Sequence, residues 1–322
     1  MRVRLTVVAL VVMACGPDAN RPVERITVPP GAGFATVRDT LAARQLIARP
    51  SWFTLVARVR GLDRALKAGV YDIRPGTSAS AILDMLADGR EAMEQLTIPE
   101  GLTLTDVAAL VEGQLGIDAE QLLDAAGDST LIRLVSPTAA NLEGFLYPET
   151  YTVPASITAK RLVAAMATEF TRQWRPGWTA RLDTLGLSRD QLVTLASIVE
   201  GEASVGDERA IIAGVYHNRL RLGMRLQADP TVQYAIQLAT GHRKPRLFLR
   251  DYEFPSEYNT YLIEGLPPGP VSSPGAASIE AALHPAEVPY LYFVADSTGR
   301  HVFTRTYREH LATIRRLRET TP

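Results

Sequence analysis

Glu200, Gly201 and Glu202 place two carboxylates close together near the end of an apolar helical stretch. Carboxyl groups in that setting can carry acid–base chemistry. Ser188 and Gln191 have the spacing of a capping box, which starts a helix just after Ser188. Leu192, Leu195, Ala196 and Val199 then form its apolar face. At about 100° per residue, Glu202 stacks over Val199 and Leu195, while Glu200 lies on the opposite flank of the same stripe. Either carboxylate can reach a half-buried cleft, and periodicity does not choose between them. Apolar surroundings disfavour the charged form, which lifts a carboxyl pKa toward neutrality and suits a general acid.

Other polar groups gather from residue 140 onward. Glu143 and Tyr147 stand in the aromatic, turn-rich stretch 142–151. Asn218 lies beside Tyr216, His217 and Arg219 on a helix expected over 207–221. Gln227 and Asp229 follow, and Asp229 before Pro230 reads as a helix start, a cap with proline in the first turn. Tyr258 and Asn259 belong to an expected loop. Amide and aromatic side chains of this sort suit sugar hydroxyls, acetamido groups and ring faces. The five histidines form no HExxH or comparable metal pair, and a single cysteine cannot build a disulfide framework or a Cys-rich metal site. The three lysines, Lys67, Lys160 and Lys244, lie outside the polar clusters, which argues against Schiff-base chemistry. The expected chemistry needs neither metal nor cofactor.

These groups need elements to hold them. Helices are expected over 157–174, from Ser188, over 207–221, near 278–284 and over 307–318. A hairpin is expected with strands at 290–295 and 301–305, around the turn Asp296-Ser297-Thr298-Gly299. The first third shows an internal repeat. Val28-Pro29-Pro30-Gly31, Ile73-Arg74-Pro75-Gly76 and Ile98-Pro99-Glu100-Gly101 each precede a helical pattern. Counted from each glycine, the sixth and tenth residues are Val37 and Leu41, Ile82 and Leu86, and Val107 and Val111. A strand end, a turn and an amphipathic helix would bury each of those pairs. The unit resembles the LysM-like module found in some cell-wall enzymes.

The chain has 322 residues, 46% hydrophobic and 21% charged, with a net charge of −1. That describes a folded protein of about two domains and excludes wholesale disorder. Near-neutrality argues against nucleic acid as a partner. Arg2 and Arg4 precede the ten apolar residues 5–14 and then Cys15. Ten residues make a helix of roughly 15 Å, about half a bilayer core, so the segment reads as an export signal rather than a membrane span. The run Val12-Met13-Ala14-Cys15 resembles a bacterial lipoprotein signal, with Cys15 as the lipid attachment point. An ordinary signal peptide is the alternative.

Together these pieces resemble the endolytic murein transglycosylase family (MltG/YceG type). The resemblance rests on the run 195–202, on 218–227, on Asp229-Pro230-Thr231-Val232, Tyr258-Asn259-Thr260-Tyr261 and Gly265-Leu266-Pro267-Pro268-Gly269, and on 289–296. It implies that Glu202, the second of the pair, is catalytic. The implied reaction cleaves the β-1,4 bond between N-acetylmuramic acid and N-acetylglucosamine inside a glycan strand, without water, leaving a 1,6-anhydro end. Glycan contacts are expected from Asn218, Gln227, Asp229, Tyr258 and Asn259, with Glu200, Glu143 and Tyr147 in secondary roles. The expected organisation is α+β: a signal or lipoprotein-type anchor and tether over 1–22, a small LysM-like module over 23–95, and an α+β catalytic domain over 96–322 ending in a β-hairpin. Peptidoglycan strands are the expected partner, together with the membrane through the N-terminal anchor and wall-synthesis enzymes. The expected location is the periplasmic face of the inner membrane. A non-catalytic peptidoglycan-binding protein is the alternative class.

Overall fold

The structure, a computed structural model, describes residues 21–320. Cys15 and the apolar run before it lie outside the described residues. No helix among those described is long and apolar enough to cross a membrane. The described chain divides into two compact units, one of 21–94 with Thr152–Ile157 and one of Gln95–Tyr151 with 158–320.

The first unit runs β1 (Glu24–Val28), α1 (Phe34–Ala43), α2 (Pro50–Val59), β2 (Gly69–Ile73), α3 (Ala79–Asp88) and the start of β3 (Met93–Thr97). β1 and β2 are antiparallel, with Glu24 opposite Ile73 and Val28 opposite Gly69. Strand alternation sends Ile26, Val28, Tyr71 and Ile73 to one face. Val37 and Leu41 from α1, Phe53 and Ala57 from α2, and Ile82 and Leu86 from α3 complete that core. Two of the three repeats lie here, and in both the strand ends, the chain turns through a glycine and a helix follows. The glycines, Gly31 at φ +77° and Gly76 at φ +90°, occupy backbone that other residues rarely adopt.

The third repeat opens the second unit: β3 leads through Gly101, at φ +78°, to α4 (Leu104–Leu115), with Val107 and Val111 fully buried. The chain continues through α5 (Ala119–Ala126), α6 (Ser129–Val135), β4 (Thr150–Pro154), α7 (Ala159–Gln173), α8 (Pro176–Leu185), α9 (Arg189–Glu202), α10 (Arg209–Arg221), α11 (Asp229–Thr240) and α12 (Ala276–Leu283). It ends with β5 (Tyr292–Ala295), β6 (His301–Thr304) and α13 (Tyr307–Thr320). β3 pairs with β4, and β5 with β6 in register Tyr292 to Thr304. The architecture is α+β, helices with three two-stranded sheets among the described residues.

α9 is the pivot of the second unit. Ser188 and Gln191 form the expected capping box, and α8, α10, α11 and α12 pack around the helix. Every residue from Leu192 to Val199 is buried. The expected one-sided stripe is therefore a helix covered on all sides, because polar Thr194 and Ser197 bond within the core. Thr194 Oγ1 donates to the Asp190 carbonyl, and Ser197 Oγ donates to the Thr194 carbonyl while accepting from the Val271 N–H. Helices α2, α5, α6 and α8 and strand β4 add to the elements expected from sequence.

Candidate active site

The C-terminal turn of α9 emerges from the core at Glu202, which is half-buried. Its Oε1 accepts from the Tyr216 hydroxyl at 2.8 Å, delivered by the neighbouring α10. The first backbone N–H of α11, at Asp229, also favours the charged form of the Glu202 carboxyl. Burial pushes this carboxyl up to about 7. The Tyr216 hydroxyl opposes the rise, the Asp229 charge adds to it, and the Asp229 N–H and Arg219 also oppose it. Glu202 thus has the protonation balance of a group that gives up a proton and takes one back near neutral pH. Gly201 lets α11 come this close, since a Cβ there would sit 2.6 Å from Pro230 Cγ.

Asp229 is the first residue of α11 rather than its cap, and Ala228 holds the cap position. The Asp229 side chain faces tyrosines instead: Oδ1 accepts from Tyr261 at 2.7 Å and Oδ2 from Tyr252 at 3.4 Å. Arg219 is buried with its guanidinium on carbonyl oxygens, donating to Leu291 at 2.7 Å and Leu226 at 2.5 Å. It also lies over the Tyr292 ring. Gln227 is exposed and holds φ +48° without being glycine, an uncommon backbone state that is over-represented at functional sites.

The remaining candidates divide by what their polar atoms touch. Glu200 is engaged in structure: Oε1 accepts from Arg209 at 3.3 Å, and Oε2 from the Gly275 N–H at the start of α12. Glu100 lies near it, and burial together with the Glu200 charge raises the Glu100 carboxyl. Asn218 is buried; its Nδ2 donates to the carbonyls of Val288 and Tyr290, and its Oδ1 accepts from Arg221. Asn259 is fully buried, donating to the Tyr252 and Phe254 carbonyls and accepting from the Tyr261 N–H. Both asparagines brace backbone through their side-chain amides. Tyr258 is half-buried and packs edge-on to Tyr234, with ring centroids 4.9 Å apart. Tyr147 is mostly buried, and its carbonyl accepts from the Tyr151 hydroxyl.

Glu143 is 4% exposed and sits at the start of α4. Its carboxylate accepts from the Leu104 N–H and the Tyr234 hydroxyl. Burial pushes it up to about 7 as well, against the Leu104 N–H and the Tyr234 hydroxyl, which favour the charge. A folded-state pKa above the unfolded value stabilises the fold below the ordinary glutamate range, and the gain is lost as pH rises through about 7. The loss at Glu143 is on the order of 3 kcal/mol. Glu143→Gln should therefore lose less stability than the parent chain between about pH 5 and about pH 8. Chemical denaturation at both pH values tests this, and parallel losses would remove Glu143 as the cause.

Sequence reasoning passed over Tyr216, Arg219 and Tyr261 as site residues. Arg219 and Tyr261 stand within stretches already quoted for the resemblance and Tyr216 just before one, but each is brought to Glu202 or Asp229 by tertiary packing that spacing cannot show.

Three comparisons bear on this geometry. The pattern of the YceG-like family matches residues 26–316. The endolytic murein transglycosylase of Bacillus subtilis (strain 168) is 32% identical over 317 residues, 92% of this chain and 87% of that protein. The endolytic murein transglycosylase of Streptococcus pneumoniae (strain D39) is 30% identical over 91% of this chain, which spans 58% of that longer protein. A solved yceG-like protein from Listeria monocytogenes superposes with a TM-score of 0.62 at 30% identity, covering 90% of this chain and 99% of the other. A match across nearly the whole described chain, with relatives of this identity and coverage, places the protein: it belongs to the YceG-like family.

Proposed function

We propose that this chain is an endolytic murein transglycosylase that works outside the cytoplasm on peptidoglycan glycan strands. The observation that carries the reading is Glu202, half-buried, bonded by Tyr216 near the start of α11, with its carboxyl pushed up to about 7. In the proposed reaction the protonated Glu202 carboxyl donates its proton to the glycosidic oxygen as the bond to muramic acid C1 breaks. The resulting carboxylate then accepts the proton of the muramic acid 6-hydroxyl as its oxygen closes onto C1. Atoms balance without water, and one carboxyl group serves both steps where ordinary glycosidases use two. Tyr216 orients the carboxyl and the Asp229 N–H favours its charge, while Gln227, Tyr258 and Tyr261 line the strand's path. Asn218 and Asn259 position those loops, and Glu200 holds α12 to the end of α9.

Digestion of defined, uncross-linked glycan strands with product masses tests the reaction. The expected fragments end in 1,6-anhydromuramic acid and are lighter by one water than hydrolytic products. New reducing ends would make the enzyme a hydrolase, and strand binding with no new ends would make it a non-catalytic wall protein. The charge of Asp229 should also be visible in the pH profile. Asp229→Asn removes a negative charge that raises Glu202, so the alkaline fall in kcat/KM should move to lower pH. An unmoved limb would show that this charge does not act on the proton donor.

The strand–turn–helix units of the first unit support a LysM-like, glycan-facing role for it, over the proposed span 23–95, with the catalytic domain over 96–322. Cys15 is the proposed lipid attachment point, holding the enzyme at the membrane near newly made strands and the enzymes that make them. Mass spectrometry of the mature N-terminus tests that, with a diacylated Cys15 expected and an unmodified terminus against it.

A further inference from the structure

The hairpin and the last helix border a cavity of about 180 Å³ whose walls contact neighbours of Glu202. Its walls are Arg219, Gln227, Tyr261, Tyr292, Phe293, Tyr307 and His310. Two links tie it to the proton donor. Tyr261 donates to Asp229, whose N–H favours the charged form of the Glu202 carboxyl. Phe293 packs edge-on to Tyr216, the tyrosine bonded to Glu202.

The chemistry of the walls is specific. The volume equals about six water molecules, the scale of one sugar ring rather than a length of strand. Tyr307 offers an exposed aromatic face, while Tyr292 carries the stacked His310 ring and the Arg219 guanidinium. The Arg219 guanidinium is already engaged by the carbonyls of Leu291, Leu226 and Arg225. Burial and the nearby Arg219 lower the His310 pKa, so its ring is neutral near neutral pH. An anion would therefore find no cation free to meet it. One neutral polar group on the wall is free: no hydrogen bond engages the amide of Gln227, which is exposed. An exposed aromatic face and a free amide match a sugar ring bearing an acetamido group.

We propose that this cavity holds one N-acetylated pyranose of the strand, next to the bond that Glu202 cleaves, with Tyr307 against the ring and Gln227 on the acetamido group. The inference rests on the transglycosylase reading and adds the location and acetyl dependence of one sugar site.

The test uses the full chain with two variants that spare the core. Tyr307 is 59% exposed, so Tyr307→Ala leaves packing largely intact. Gln227→Asn tolerates the left-handed backbone and withdraws the amide by one carbon. Binding of defined glycan strands, acetylated and chemically de-N-acetylated, is measured by calorimetry, alongside kcat and KM. Tyr307→Ala should weaken binding of acetylated strands about tenfold and raise KM, with kcat changed less. Removing the acetyl groups should weaken wild type about tenfold but Gln227→Asn much less, because the two losses share one contact. Unchanged binding in Tyr307→Ala, or equal acetyl dependence in wild type and Gln227→Asn, overturns the assignment. If wild type cleaves to anhydro ends while the variants bind as it does, the sugar site fails and the reaction stands. If the binding differences hold but no anhydro ends appear, the reaction fails and the sugar site stands.

Discussion

Glu202→Gln should abolish release of 1,6-anhydro ends while leaving the fold and strand binding in place. A glutamine fills nearly the same volume and keeps the contacts: its carbonyl oxygen can accept from the Tyr216 hydroxyl, as Oε1 does at 2.8 Å. It can neither give up a proton nor receive one. General acid–base catalysis is worth about 100-fold to 10,000-fold. Because one carboxyl serves both halves of the proposed reaction, the loss should reach or exceed the upper end of that range. Removing a carboxyl whose pKa is raised by burial should also make the variant no less stable above neutral pH. Glu200→Gln should behave differently. Its carboxylate holds Arg209 and the Gly275 N–H, so the expected result is a modest loss of stability with much of the activity retained. Product masses, strand binding and thermal unfolding of the two variants separate the roles. Full activity in Glu202→Gln, or complete loss in Glu200→Gln with Glu202→Gln tolerated, would reverse the assignment.

Local chemistry was legible in the sequence and tertiary partnership was not. The capping box at Ser188 and Gln191 and the turn at Asp296 to Gly299 are written in neighbouring residues, and the structure has both. The three strand–turn–helix repeats are equally local, since each needs only a strand end, a glycine with positive φ and a buried pair one turn apart. Periodicity left Glu200 and Glu202 as equals because they flank one stripe of one helix. What separates them is what each meets: Arg209 and the Gly275 N–H for Glu200, Tyr216 and the start of α11 for Glu202. The same limit explains Asn218 and Asn259. An amide reads as a ligand contact from its type, but both are engaged by carbonyls that the fold brings from elsewhere. Asp229 before Pro230 looked like a cap. It is the first helical residue, with tyrosine hydroxyls on its carboxylate instead of backbone N–H groups.

Gly201→Ala should cripple the enzyme although it touches no reacting atom. Gly201 stands between the two glutamates, where α9 and the start of α11 approach too closely for a side chain. A Cβ would lie 2.6 Å from Pro230 Cγ and 2.7 Å from Pro230 Cβ, well inside contact distance. Pro230 is a rigid ring in the first turn of α11, so it cannot swing aside as a flexible side chain would. Relief must come from moving α11 away from α9. Asp229 precedes Pro230, so the same movement would withdraw the Asp229 N–H and the Asp229–Tyr261 contact from Glu202. In a site that relies on a positioned proton, a displacement of about 1 Å can cost about 100-fold. The helix itself should not resist, because alanine is the better helix former at this position. The signature is thus a large fall in kcat with a smaller loss of stability, and an alkaline limb displaced because the groups that set the Glu202 pKa have shifted. A restoring change supports the cause: Pro230→Gly in the Gly201→Ala background removes both ring carbons that meet the new methyl group and should recover part of the activity. Wild-type kcat in Gly201→Ala alone would show that the contact between α9 and α11 does not set the geometry of Glu202.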